Sequence, residues 1–213
     1  MEYMRDSIVI EKFELLVSNA ARPEITPKLL IFGYNETARQ ADEGLLIQVR
    51  GARATQQKEY AESHAATAVE DQAKAAGRAA FLQLHRIIRM ANRRDRSIDL
   101  KRVLHIGALP ATEAAFLDYT AGLMDRIEAS PEAQTALAYF GVDDGRIAGL
   151  RELIQSVRQA NITQQQELGE ARQATAVYRE LMEQVRLALD ILTRLAREAL
   201  ADEPELLKLM GVG

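Results

Sequence analysis

The sequence predicts an all-α protein, an elongated helical bundle built from two tandem copies of a short helix, short helix, long helix unit related by a pseudo-twofold axis. Three observations carry the prediction. Ala, Leu, Arg, Glu and Gln fill long uninterrupted tracts, with only five prolines and no tryptophan in 213 residues, and these residues lose little rotamer freedom in a helix. Runs of alternating β-branched residues are short, Ile8-Val9-Ile10 being the best of them, so no sheet is expected. The chain also repeats itself.

Displaced by 108 residues, TQQKEYAESHAATAV from Thr55 falls on TQQQELGEARQATAV from Thr163 with nine of fifteen positions identical. At the same offset Pro23-Glu24 meets Pro131-Glu132, Phe32-Gly33 meets Phe140-Gly141, and Arg86 and Arg89 meet Arg194 and Arg197. After Arg89 the register slips by about four residues, so that DLKRVLHIG pairs with PELLKLMGVG and the insertion lies in Asn92 to Ser97. A period this long is a duplicated supersecondary unit and not a solenoid motif. Residues 1–107 and 108–213 are read as the two repeats, packed together as one domain.

In the first copy an N-terminal short helix is followed by a second that opens at Thr26-Pro27 and ends at Gly33, and Asn35 with Glu36 starts the long helix. In the second copy the short helices are expected over Thr112 to Glu128 and Pro131 to Tyr139. Ser130 serves there as N-cap and Pro131 as first helical residue. Gly141 closes that helix in the left-handed conformation, and Asp143 or Asp144 caps the long helix that follows.

From Leu150 the positions 150, 154, 157, 161, 164, 168, 171, 175, 178, 182, 185, 189, 192, 196 and 199 step by three and four, the spacing of a stripe that faces a partner helix. Asn161, Gln164 and Thr175 are its polar interruptions. Unbroken, such a helix spans roughly 80 Å at 1.5 Å per residue. In the first copy the outer seam is apolar (Leu46, Val49, Phe81, Leu84, Ile88), but Arg53, Gln56, Ser63, Thr67 and Lys74 occupy its middle. Deep burial is therefore not expected there. An alanine-lined stripe between Ala61 and Ala80, or a break near residue 60, is the expected alternative.

The best-conserved blocks of the repeat thus lie mid-helix. One expectation is a small-residue crossing with Ala66, Thr67, Ala68, Ala174, Thr175 and Ala176 packed and the Gln and Glu side chains solvated. The other is a polar site for a small ligand or ion made by Gln56, Glu59, Glu62, Gln164, Glu167 and Glu170, since buried polar groups need partners.

Chemistry-bearing motifs are few. Cysteine is absent, which excludes disulfides, thiolate metal sites and cysteine nucleophiles. A di-metal bundle needs Glu-x-x-His pairs on one helix face, and none of His64, His85 and His105 has an acid three positions before it. GVDDG at Gly141 to Gly145 lacks the Lys-Ser/Thr of a phosphate loop, and no nucleophile-elbow pattern occurs. No catalytic residue, metal or cofactor is read. The charge is 27 cations against 31 acids, net −4, which gives no global attraction to nucleic acid or anionic membrane. Acids at Glu2, Asp6, Glu11 and Glu14 interrupt what a signal peptide would need, and no apolar run reaches the roughly 18 residues of a membrane span. A soluble, cytoplasmic chain without membrane partners is expected. The one concentration of charge is Arg86, Arg89, Arg93, Arg94, Arg96, Lys101 and Arg102 against Asp95 and Asp99. Cations are favoured at a helix C-terminus, and the same segment is a candidate anion or partner site, although no aromatic residue interleaves with its arginines.

The Phe-Gly-Tyr/Val turn, the Gln-Gln-x-Glu block and the closing ADEPELLKLMGVG together resemble a group of bacterial two-repeat helical proteins whose long helices end in a similar Asp-x-Pro-x-Leu-Leu-x-x-x-Gly tail. The resemblance implies a fold and a bacterial origin and transfers no activity. The expected function is a non-enzymatic structural or protein-interaction bundle that self-associates through its apolar seams. The alternatives are a polyanion or nucleic-acid binding module acting through residues 86–102, and a small-ligand binder at the mid-helix polar region.

Overall fold

The computed structural model describes residues 2–212, with side chains from Asp6 onward. Eight helices are found among them: α1 (Glu2–Ala20), α2 (Thr26–Ile31), α3 (Glu36–Arg94), α4 (Leu100–Val103), α5 (Glu113–Glu128), α6 (Pro131–Ala138), α7 (Asp144–Ala199) and α8 (Pro204–Leu209). No strand occurs among the described residues, and none of these helices is long and apolar enough to cross a membrane. The order short, short, long is present twice, each time followed by a helix of one or two turns. Those small helices fall on the two segments that the sequence pairs after its register slip.

Local chemistry explains the boundaries. Gly33 and Gly141 adopt φ of 88° and 71°, the left-handed conformation that ends a helix at little cost only for glycine. Two residues later a side-chain oxygen opens the long helix: Asn35 Oδ1 accepts from Ala38 N (2.9 Å) and Asp143 Oδ1 from Arg146 N (2.8 Å). Thr112 and Ser130 cap α5 and α6 in the same way, accepting from Ala115 N and Ala133 N. α3 runs through residue 60 without a break.

The chain forms two compact units. The first joins the residues up to Ala61 with those from Leu168 onward, and the second is Glu62–Glu167. The boundary between the sequence repeats, 107/108, therefore falls inside the second unit. The first unit takes α1, α2 and the start of α3 together with the end of α7 and α8. Its core holds Phe13, Ile25, Leu29, Val49, Met182, Val185 and Leu192. The second takes the end of α3, α4, α5, α6 and the start of α7, around Phe81, Ile88, Leu100, Leu104, Leu123, Leu137 and Val157. Fully burying one such side chain contributes about 1.5–3 kcal/mol.

The α7 seam is the organising stripe in both units. Of its fifteen predicted positions nine are buried, six half-buried and none exposed. The first-copy seam keeps the same register; Arg53, Gln56, Thr67 and Lys74 in its middle are half-buried, while Ser63 departs from the expectation and is buried, as is Glu70, at 6% exposure. The neighbouring alanines do not form the alternative stripe, since Ala61, Ala65, Ala68, Ala75, Ala76 and Ala79 are exposed. The register survives because its polar positions are satisfied. Tyr34 donates to Asp42 (2.9 Å) and Gln56 Nε2 to Thr175 Oγ1 (3.3 Å) in the first unit, and Asn161 Nδ2 to Glu70 Oε1 (2.9 Å) in the second.

Two glycines give opposite expected outcomes in urea denaturation. Gly141→Ala destabilises by about 1 kcal/mol, because alanine is strained at positive φ. Gly169→Ala, inside α7 where an added Cβ meets nothing within 4 Å, stabilises by about 0.5–1 kcal/mol.

Candidate functional site

The six mid-helix polar residues are divided between the units, Gln56, Glu59 and Glu170 in the first and Glu62, Gln164 and Glu167 in the second. Gln56 is engaged with Thr175. Glu59 receives Lys58 Nζ on Oε1 (3.4 Å), while its buried Oε2 has no hydrogen-bond partner among the described residues. Glu59 and Glu170 line a 320 Å³ hollow with Ala52, Thr55 and Ala174. Gln164 accepts from Gln165 (3.0 Å), Glu167 is half-buried and Glu62 exposed. Of the small residues expected to pack, Ala174 is buried, Ala66, Thr67 and Thr175 are half-buried, and Ala68 and Ala176 are exposed. Among the histidines, His64 and His105 are exposed. His85 stacks on Phe81 with its Nε2 buried and unpartnered. Burial, with Arg89 and Lys101 nearby, lowers its pKa and favours the neutral ring.

The basic segment lies wholly in the second unit, and all seven of its cations are exposed. Arg86, Arg89 and Arg93 share one face of α3 by their spacing of three and four. None of the seven is ion-paired with a carboxylate among the described residues. The two acids of the segment are committed elsewhere. Asp95 accepts from Ser97 N and Oγ (2.9 and 2.6 Å), bonds that lower its pKa and keep it ionised, and Asp99 caps α4 through Arg102 N (3.3 Å). The fold also supplies an aromatic. Arg94 lies 3.3 Å over the ring of Tyr139, which is 66% exposed at the end of α6. The two are 45 residues apart, so only the packing of α3 against α6 within this unit reveals the pair.

A 470 Å³ pocket lies in the same unit between α3, α5 and α7. Its apolar wall is Gly77, Phe116, Leu117, Ile154 and Val157, and Lys74 and Arg78 stand beside it. Lys74 Nζ is shared by Glu70 (2.8 Å) and Glu113 (2.7 Å). Its hydrogen bonds to Glu113 and Glu70 raise the pKa of Lys74, and the bonds from Lys74 and Asn161 lower that of Glu70. Sequence reasoning missed this site although the duplication held a signal for it. At the offset of 108, Glu70, Lys74 and Gly77 face Tyr178, Met182 and Val185, three buried residues of the first unit's core. A buried acid, a cation and an absent side chain stand there in place of bulky groups, whereas the matching hollow of the first unit, 410 Å³ and lined by Tyr178 and Met182, holds Asp6 paired with Arg186.

Comparisons of the chain with protein families, curated proteins and solved structures find no match.

The Glu70 and Lys74 shifts carry a defined pH dependence. The lowered pKa of Glu70 contributes stability that is complete above the ordinary carboxyl value of 4.5 and is lost as pH falls through the lowered value. The raised pKa of Lys74 contributes stability present below 10.5 and lost as pH rises through the raised value. Lys74→Met, which installs the first unit's residue, is expected to cost about 2 kcal/mol in urea denaturation at pH 7, because it leaves Glu70 buried without its counter-charge. Glu70→Gln is expected to flatten the acid limb of stability against pH below 4.5.

Proposed function

We propose that this protein is a non-enzymatic interaction protein, built from two copies of one helical unit, whose recognition surface is the basic end of α3 with α4 and Tyr139. Its partner is a phosphate-bearing polyanion, single-stranded nucleic acid first among them. The observation that carries this reading is the set of seven exposed cations with no ion pair among the described residues, one of them laid on an exposed tyrosine. A guanidinium stacked on a ring keeps its in-plane N–H donors available, the geometry that takes a phosphate in two parallel bonds. The arrangement also holds Arg94 in place, so less rotamer freedom is lost when a phosphate arrives.

The test is fluorescence anisotropy with a labelled single-stranded oligonucleotide at several salt concentrations. Binding is expected to weaken steeply with salt, with a log–log slope of about −3 to −5 for four to seven neutralised phosphates. Arg94→Ala should lower the magnitude of that slope by about 1. Tyr139→Ala should weaken binding, and Tyr139→Phe should preserve it. Binding that is absent or insensitive to salt overturns the reading.

A second surface supports self-association. Leu30, Ile31 and Phe32 at the end of α2 are exposed by 55, 81 and 47%, a contiguous apolar group of the kind that marks interaction sites. Light scattering should give a mass above the monomer that falls back to it in Ile31→Glu. A monomer at every concentration counts against self-association.

A further inference from the structure

The pocket between α3, α5 and α7 differs from the matching hollow of the first unit in how its arginine is paired, and that difference points to a ligand class. The buried stripe of α1, which is Asp6, Ile10, Phe13, Leu16, Val17 and Ala20, returns 107 residues later in α5 as Glu113, Leu117, Thr120, Leu123, Met124 and Ile127. Asp6 and Glu113 thus hold the same place on their helices. Arg186 and Arg78 likewise match at the offset of 108. In the first unit Asp6 takes Arg186 at 2.5 Å and also accepts from Tyr178 OH at 3.3 Å. In the second unit Lys74, standing where the first has Met182, takes Glu113 instead. Arg78 is left without an ion pair among the described residues.

We propose that this pocket binds a small amphipathic carboxylate, with its apolar body against Phe116, Leu117, Ile154 and Val157 and its carboxylate on Arg78, in the role that Asp6 fills for Arg186. Gly77 lets the two long helices close the back of the pocket. Its counterpart Val185 is fully buried, whereas at Gly77 the backbone of α3 comes so close to α7 that an added Cβ would stand 3.2 Å from Val157 Cγ2. The wall opposite is held in place, since Phe116 packs edge-on against Phe81 at 5.1 Å between ring centres. A volume of 470 Å³ is within the range of about 300–1,000 Å³ of small-molecule sites, which are mostly apolar with a few placed polar groups. Lys74 does not compete for the ligand, because its charge is already shared by two carboxylates. Guanidinium recognises carboxylate in a planar, two-bond geometry, so the ligand is an acid and not an alcohol or amine.

Isothermal titration of the full chain with octanoate, octanol and octylamine tests the assignment. Octanoate is expected to bind about tenfold or more tightly than the other two, the effect of one charge-assisted contact. Arg78→Gln, at an exposed position, should bring octanoate down to the level of octanol. Ala111→Trp, exposed at the pocket mouth, should weaken octanoate and octanol together, with the helical circular dichroism unchanged in both variants. Absent binding, octanol or octylamine binding as tightly as octanoate, or a preference that survives Arg78→Gln overturns the proposal. None of these outcomes depends on whether the basic end of α3 binds nucleic acid.

Discussion

A stripe of positions stepping by three and four along a helix of more than fifty residues has to be covered over its whole length, and every polar residue on it has to be answered by a neighbour. That constraint organises both units. α7 presents a seam with no exposed position, and α3 presents one whose middle is polar. The polar seam residues Asp42, Gln56 and Glu70 each meet a hydroxyl or amide of the same unit. Glu70 sets register most strongly. Sliding α7 by one heptad would replace Asn161 with Ile154 or Leu168 beside a buried carboxylate, leaving it a hydrogen bond short, at a cost of about 1–3 kcal/mol or more for a charged group. An all-apolar seam would tolerate that slip, so the hydrogen bond from Asn161 to Glu70 contributes to the register of the packing.

The short helices then have a simple task. They cover the sides of the seam that the long helices leave open, and their own stripes repeat in α1 and α5 down to the acid that begins each one. Because each unit takes its short helices from one half of the sequence and a long-helix end from the other half, neither repeat holds a complete core. Phe13 is buried with Val185 and Leu192, and Phe81 with Leu123 and Val157. The stability of each unit therefore rests on contacts of long sequence separation, which are slow to form because loop closure precedes them.

Much of this was legible in the residues. The caps at Asn35, Ser130 and Asp143 and the left-handed glycines at 33 and 141 act through their immediate neighbours, so local sequence contains their cause. The α7 seam was legible because apolar residues dominate it. The middle of the α3 seam was not. Glu70 reads as a solvated residue when taken singly, and its buried carboxylate is answered by Asn161, which lies 91 residues further along the chain. The same holds for Tyr139 under Arg94. What sequence alone does contain is the list of positions where the two copies disagree, and the pocket and the basic end both stand on that list.

Those disagreements share an electrostatic sense. In the first unit Arg186 meets Asp6 and Lys28 meets Glu203, and in the second Arg151 and Arg158 meet acids of α5. In the second unit Lys74 draws off Glu113 and leaves Arg78, while the inserted segment adds arginines and the two neighbouring acids bond to backbone and hydroxyl donors without forming an ion pair among the described residues. Residues 86–102 hold seven cations against two acids within a chain of net charge −4. A cation at a helix C-terminus contributes about 0.3–1 kcal/mol, so stability accounts for Arg93 and Arg94 in the last turn of α3 and not for the whole concentration. An anion that arrives from outside accounts, on the proposed reading, for the remainder. A compact carboxylate fits the narrow apolar pocket at Arg78, and an extended polyanion fits the open face at Arg94. On the proposed reading, the binding surfaces are the places in the second unit, at Arg78 and at residues 86–102, where cations stand without an ion pair among the described residues.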